Sequence, residues 1–311
     1  MGKPRLAAWR IPALWLAAWL VTGTPAAAGA DAGVSAPIPE RKAIRLPHGL
    51  TLGYLEFGDA AKPPLVYLHG ITNSSLGYVP LGQRLARDFH VYLVDMRGHG
   101  ISDKPECCYT RLDFAYDIKL LLDALGIPRA HVAGHSLGSM VAQTFAAYWP
   151  ERVDRLVLIA STLGPRSPSK PDEPRPPPLL GAAWDAEIRK LEDPIDPDSP
   201  FMRSWWDVNG LDPAIQSMMR RESARIPARI WRAMLDQGAS SRDLRITADW
   251  IRAPTLLVFG GKDVLFGQAE RDDLIAWMPK AQVALFPDLG HSLPEEDPVA
   301  VGTRLRDFLL Q

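Results

Sequence analysis

Gly134-His135-Ser136-Leu137-Gly138 decides how this chain is read, because of what flanks it. Upstream, Arg129-Ala130-His131-Val132-Ala133 is a short run of strand character, and downstream residues 139–148 have the composition of a helix. A serine between two glycines at a strand-to-helix junction sits on a strained turn that lifts its hydroxyl clear of the sheet edge. The glycines are required because a Cβ at either place would collide with the neighbouring strand and helix. The turn also sets the hydroxyl at a helix N-terminus, whose free N–H groups and dipole favour developing negative charge. A Gly-rich turn with a merely capping serine would give the same five letters. The reading therefore depends on partners elsewhere in the chain.

Residues 43–57 read as an antiparallel start: Ala43-Ile44-Arg45-Leu46, a Pro47-His48-Gly49 turn, then a second strand over 50–57. Apolar runs bounded by turn signals follow at 65–68, 91–94, 131–133, 156–160, 255–259 and 283–286. Amphipathic segments with helical spacing separate most of them, over 79–87, 113–125, 136–149, 268–277 and 299–310. Near-continuous apolar strands alternating with helices predict a mostly parallel sheet covered on both faces. That is a doubly wound α/β domain, with ligands at the carboxyl ends of its strands.

The alternation breaks between residue 161 and about residue 250. Residues 165–178 hold seven prolines among polar residues, the composition of a stiff extended linker. Helical stretches follow over 182–192, 211–221 and 227–237, and Asp212-Pro213 supplies an N-cap and a proline at the first helical position. An insertion at this point would sit over the active site. The predicted organisation is a core over 31–160 and 251–311, with a helical cap over 161–250.

The first thirty residues read as a secretory signal peptide rather than part of a fold. Lys3, Arg5 and Arg10 form a basic start, 11–21 is an apolar run too short for a comfortable membrane span, and Ala26-Ala27-Ala28 and Ala28-Gly29-Ala30 both fit a cleavage rule. Removing residues 1–30 would leave 32 basic against 36 acidic residues, and cleavage within 28–32 predicts a periplasmic or secreted protein with no stable membrane span. A balance so near neutrality gives no electrostatic reason to expect a nucleic-acid partner. The mature chain, about 280 residues long, can bury a large single core. The only cysteines, Cys107 and Cys108, are adjacent and cannot staple distant segments; in an oxidising compartment they are a candidate vicinal disulfide. The seven histidines are scattered and join no Cys cluster, so no metal is predicted.

Two further features fall where strand ends are expected. Thr255 to Gly260 runs into Gly261-Lys262-Asp263, a loop bearing a carboxylate, and Ala284-Leu285-Phe286 runs into Pro287-Asp288-Leu289-Gly290-His291. Ser136, Asp263 and His291 stand in the chain order of the α/β-hydrolase triad. On these motifs, over about residues 43–310, the chain resembles an α/β-hydrolase. It is most similar to the cap-bearing group of esterases, lactonases, cofactor-free haloperoxidases and C–C bond hydrolases. A serine hydroxyl is a poor nucleophile at neutral pH and needs a base. His291 would take its proton and return it to the leaving group, while Asp263 would fix the imidazole tautomer. Asp288 is the rival carboxylate, three residues before the base, and reads better as a loop cap.

The turn makes the N–H of Leu137 one donor to an oxyanion. His69-Gly70-Ile71 matches the family's HG-x motif, which implies the amide of Ile71 as the second donor. The departure from an HGGG form argues against bulky tertiary-alcohol esters. Asp95 to Asp103 also resembles a family loop, in which Arg97 and Asp103 make charge-assisted contacts and His99 packs beside them. Trp205, Trp206 and Met140 are candidate substrate-pocket residues, with Trp184, Trp231, Met218, Met219 and the Val79/Leu81 region as further apolar candidates. The resemblance implies a cofactor-free serine hydrolase of small carboxylic esters or lactones acting through an acyl-enzyme. A C–C hydrolase or perhydrolase on the same residues, and a small-ligand receptor on the same scaffold, are the alternatives.

Overall fold

The computed structural model describes residues 38–164, 180–208, 210–239 and 243–311. The expected signal segment and the proline-rich stretch at 165–178 lie outside the described residues. Among the described residues no helix is long and apolar enough to cross a membrane, and Ile38–Gln311 form one unit.

The sheet has eight strands in the order β1-β2-β4-β3-β5-β6-β7-β8. These are β1 (Lys42–Arg45), β2 (Thr51–Phe57), β3 (Pro64–Leu68), β4 (His90–Asp95), β5 (Ala130–His135), β6 (Val153–Ile159), β7 (Thr255–Gly260) and β8 (Gln282–Phe286). β2 pairs antiparallel with β1 and β4. Every pairing from β4 through β8 is parallel. After β3 the chain first adds β4 on one side and then β5 on the other. A crevice opens at that reversal, above the carboxyl ends of β3 and β5, where ligands bind in such sheets.

Side chains alternate between two cores, as the period of a strand requires. Val66, Leu68, Tyr92 and Val94 face one core, while Leu65, Tyr67, Val91 and Leu93 face the other. The first face is covered by α2 (Arg111–Ala124), α3 (Leu137–Tyr148) and α9 (Gln268–Trp277), and the second by α1 (Val79–Leu85), α10 (Leu293–Glu296) and α11 (Pro298–Leu309). Capping fixes where several of these start. Thr110 and Asp113 form a reciprocal capping box at α2, and Asp297 accepts from Val299 and Ala300 ahead of Pro298 in α11.

Between β6 and β7 lie α4 (Ala182–Arg189), α5 (Pro200–Trp205), α6 (Pro213–Ala224), α7 (Ala228–Ala233) and α8 (Arg245–Ala248), with a π-helical turn at Met234–Ala239. The expected 211–221 segment starts at Pro213 and runs on to Ala224. The 227–237 segment is shorter than expected as an α-helix and widens into the π turn. α5 escapes periodicity because it is only six residues long, although Ser199 caps it and Pro200 opens it. These helices are tied to the core by charge and hydrogen bonds. Arg41 donates to Asp95 at the end of β4 and to Glu222 of α6, at 3.2 and 2.8 Å.

Arg97 and Asp103 both make charge-assisted contacts, each with a different partner. The Arg97 guanidinium grips Asp117 of α2 through two bonds of 2.6 Å, and its third nitrogen donates to the carbonyl of Cys108 at 2.7 Å. Asp103 instead accepts from the amide of Thr51 at 2.7 Å. The difference follows from burial: Asp117 is buried and takes the fork of Arg97 together with His48 Nε2 at 2.7 Å, whereas Asp103 is exposed. Cys107 and Cys108 are exposed free thiols beside this contact. Asp117→Ala leaves the Arg97 charge buried and unpaired, so it should destabilise the protein by about 3–5 kcal/mol. A denaturant midpoint unchanged from wild type would contradict this.

Candidate active site

The crevice is built by loops that leave β3, β5, β7 and β8. Ser136 sits between β5 and α3 with φ 52° and ψ −118°, a left-handed conformation that a side chain rarely adopts. The backbone tolerates it because nothing projects from the residues two before and two after it. A Cβ on Gly134 would meet the Gly138 carbonyl oxygen at 2.3 Å, and one on Gly138 would meet that of Leu68 at 2.3 Å. The helix therefore starts hard against β3, with Ser136 at its head.

The loops after β7 and β8 lie equally close. A Cβ on Gly260 would stand 2.1 Å from the Gly290 oxygen, and the amides of Gly261 and Lys262 donate to Phe286 and Leu289 at 2.8 and 2.9 Å. This contact brings Asp263 and His291 together. His291 Nδ1 lies 2.8 Å from Asp263 Oδ2, and Nε2 lies 2.9 Å from Ser136 Oγ. Because the carboxylate accepts, Nδ1 carries the proton and Nε2 is left to accept from the hydroxyl. Burial by itself would raise the Asp263 pKa. The His291 ring and the amides of Phe266 and Leu265 outweigh it and hold the carboxyl below its ordinary value. Its Oδ1 accepts those two amides at 2.9 and 2.8 Å. Asp288 makes no such contact; it is an exposed partner of Lys262 at 3.3 Å.

The loop after β3 carries the expected second amide donor. The N–H groups of Gly70, Thr72, Asn73, Ser74 and Ser75 go respectively to Tyr78 Oη, His99 Nε2, the Gly70 carbonyl, Asn73 Oδ1 and Asp95 Oδ1. Within this stretch only the amide of Ile71 has no acceptor among the described residues, and Ile71 lines the cavity beside Ser136. Leu137 opens α3, so its amide has no intrahelical acceptor. Two amides of this kind, beside a hydroxyl bonded to a base, can hold an oxyanion while the hydroxyl adds to a carbonyl.

Burial sets the protonation of the supporting histidines. It pushes His69 down to about 4, and His99 and His135 to about 3, so all three are neutral braces. His69 accepts from the Met96 amide and donates to the Gly70 carbonyl. His135 donates through Nε2 to the His291 carbonyl at 2.8 Å, so its Nδ1 accepts from Tyr78 Oη at 2.7 Å. Gly290, before the base, donates to Glu296 at 2.8 Å. The sequence reading missed His135, Tyr78 and Glu296. A histidine ending a wholly buried strand and an acidic pair just past Gly-His were the available signals.

A cavity of about 440 Å³ opens over Ser136. Trp205, Trp206, Trp184, Leu180 and Leu265 line it, and Trp205 Nε1 donates to Thr72 Oγ1 at 2.8 Å. Met140 does not line it. That side chain is buried beneath α3, with its sulfur 3.7 Å from Arg111 Nη1. Trp231, Met219, Val79 and Leu81 are likewise core residues. Thr72 has φ 61°, and its three bonds, to His99, Trp205 and Ser223, hold it there. Among the described residues no three His, Cys, Asp or Glu side chains are grouped to hold a metal ion.

The family profile described as alpha/beta hydrolase fold matches residues 63–298. The 2-(acetamidomethylene)succinate hydrolase of Mesorhizobium japonicum is 42% identical over 113 residues, 36% of this chain and 40% of that protein. The chain thus matches less than half of that relative's length. The sn-1-specific diacylglycerol lipase of Mus musculus is 26% identical over 318 residues, 95% of this chain and 99% of that protein. A solved hydrolase from Pseudomonas aeruginosa PA01 superposes with a TM-score of 0.73 at 26% identity, covering 87% of this chain and 98% of that one. With the matched residues spanning most of the sheet and every loop that builds the crevice, the chain belongs to the alpha/beta hydrolase fold family.

Proposed function

We propose that the protein is a serine hydrolase of small carboxylic esters or lactones. The observation that carries this reading is the pair of contacts at His291, 2.9 Å to Ser136 and 2.8 Å to Asp263. Ser136 Oγ attacks the acyl carbon as its proton passes to His291 Nε2. The amides of Leu137 and Ile71 take the charge that develops on the carbonyl oxygen, and Asp263 stabilises the imidazolium. The leaving alkoxide recovers the proton from His291, and an acyl-serine remains. Water then repeats the sequence, with His291 again as base, and releases the acid. Each bond made is matched by one broken, and no cofactor enters.

The cavity bounds the substrate. About 440 Å³ lies toward the lower end of the range for small-molecule sites, and the indoles of Trp184 and Trp205 offer apolar surface to an acyl or aromatic group. The basic, apolar and small-residue order of the first thirty residues supports export as the accompanying reading.

Ser136→Ala should abolish p-nitrophenyl acetate hydrolysis with its melting temperature near wild type; retention of most of the activity would contradict the mechanism. Asp263→Asn should lower kcat by about four orders of magnitude, through the wrong tautomer, and a small effect would move the acid role elsewhere. Across p-nitrophenyl esters, acetate to butyrate should turn over faster than palmitate, and the reverse order would contradict the small-acyl assignment. Expressed with its N-terminus intact in a bacterium, the protein should be recovered from the periplasm or medium starting within residues 28–32. An intact mass that includes Met1 would contradict export.

A further inference from the structure

Glu295 is a buried carboxyl that the chemistry above does not use. It lies on α10, four residues past His291, and lines the same cavity as Ser136. Its Oε1 accepts from Asn73 Nδ2 at 3.0 Å, while its Oε2 is buried with no hydrogen-bond partner among the described residues. Asn73 belongs to the loop that carries Ile71: its amide closes a turn onto the Gly70 carbonyl at 3.2 Å, and its Oδ1 accepts the Ser74 amide at 2.8 Å. A Cβ on Gly77 would meet Asn73 Oδ1 at 2.4 Å, so the amide side chain is packed in place. Tyr78, whose hydroxyl takes the Gly70 amide and donates to His135, stands beside the Glu295 carboxyl. One side chain thus joins the segment that follows the base to the segment that offers an amide to the oxyanion.

We propose that Glu295 is a positioning residue, which through Asn73 sets the oxyanion loop at 70–75 in register with the loop that carries His291. The inference deepens the serine-hydrolase reading and rests on it. The cluster suits an uncharged carboxyl, because an ionised one is costly to bury and would compete with His135 for the single Tyr78 hydroxyl proton. Burial pushes the Glu295 carboxyl up to about 8, so it is neutral at pH 7. The groups that face it are Tyr67 from β3, Tyr78 from the turn before α1 and its neighbour Glu296. His135 of β5 joins the network through Tyr78. α1 and α11 pack behind α10 through apolar side chains such as Leu81, Leu293 and Val301. Ionisation above about pH 8 would put a charge in this buried cluster and draw the Tyr78 proton away from His135, so activity should fall there by a cause separate from the Ser136–His291–Asp263 chemistry.

The test compares wild type, Glu295→Ala and Glu295→Gln on p-nitrophenyl acetate from pH 6 to 10, with melting temperatures over the same range. Glu295→Ala should lose about tenfold to a hundredfold in kcat with KM little changed, as displacement of an oxyanion donor requires. Glu295→Gln keeps an acceptor for Asn73 and cannot ionise. It should restore most of the activity at pH 7 and lack the alkaline fall of wild type. A Glu295→Ala enzyme with wild-type kcat, or a Glu295→Gln enzyme with the wild-type alkaline limb, overturns the proposal. The melting curves keep the test open if Glu295→Ala does not fold or if wild type hydrolyses no ester, the latter being a failure of the serine-hydrolase reading alone. An acid whose folded pKa is raised takes up a proton on folding, so wild-type stability declines as pH rises from the ordinary carboxyl range toward about 8. Glu295→Gln should escape that decline and gain in melting temperature over wild type between pH 6 and 9. Parallel curves for the two proteins overturn the proposal on their own.

Discussion

The backbone of Gly138 is pressed so close to the Leu68 carbonyl that no side chain fits between them, and most of the site follows from that approach. It seats the first turn of α3 directly on β3. Ser136 is thereby forced into a left-handed turn with its hydroxyl above the crevice, and the amide of Leu137 is left open to the same space. The switch of direction at β3 supplies the crevice itself. The glycine contact and the topology are one constraint seen at two scales. A parallel sheet gives loops at one edge, and close backbone packing decides which atoms those loops present.

Around that turn the structure spends buried polar groups on holding loops rather than on charge. His69, His99 and His135 are driven neutral by burial, and each bridges two backbone segments. Beside these loops, buried charge is matched by donors and acceptors, as in Arg97 with Asp117 and in Asp263, whose carboxyl takes the His291 ring and two amides. Unpaired buried charge is costly, so neutral histidines are the cheaper rivets for a loop-built site. The helices between β6 and β7 rest on the same loop through Trp205 and Ser223, both bonded to Thr72. The roof of the cavity and the oxyanion loop are therefore mechanically one piece.

Much of this was legible in the sequence. The succession of strands and helices along the chain, the mostly parallel sheet and the three side chains at the crevice follow from apolar period, turn glycines and motif order, because these are local signals repeated at every level. The small-residue environment of Ser136 was legible for the same reason. The Arg97 partner was not, since Asp117 and Asp103 are equally good acids in a sequence and only the packing of α2 selects between them. Met140 was misread as a pocket residue because position on α3 does not reveal which face the helix turns toward the sheet. His135, Tyr78 and Asn73 were missed because their roles are hydrogen bonds between residues distant along the chain.

In the proposed chemistry an oxygen of Ser136 attacks an electrophile under the control of His291. A fluorophosphonate probe followed by peptide mass spectrometry tests it most directly, since the phosphonyl group stays on the attacking atom. A single adduct is expected on the peptide containing Ser136, formed by wild type and lost when His291 is replaced by alanine. Adduct on another residue, or none under conditions that label a control serine hydrolase, would contradict it.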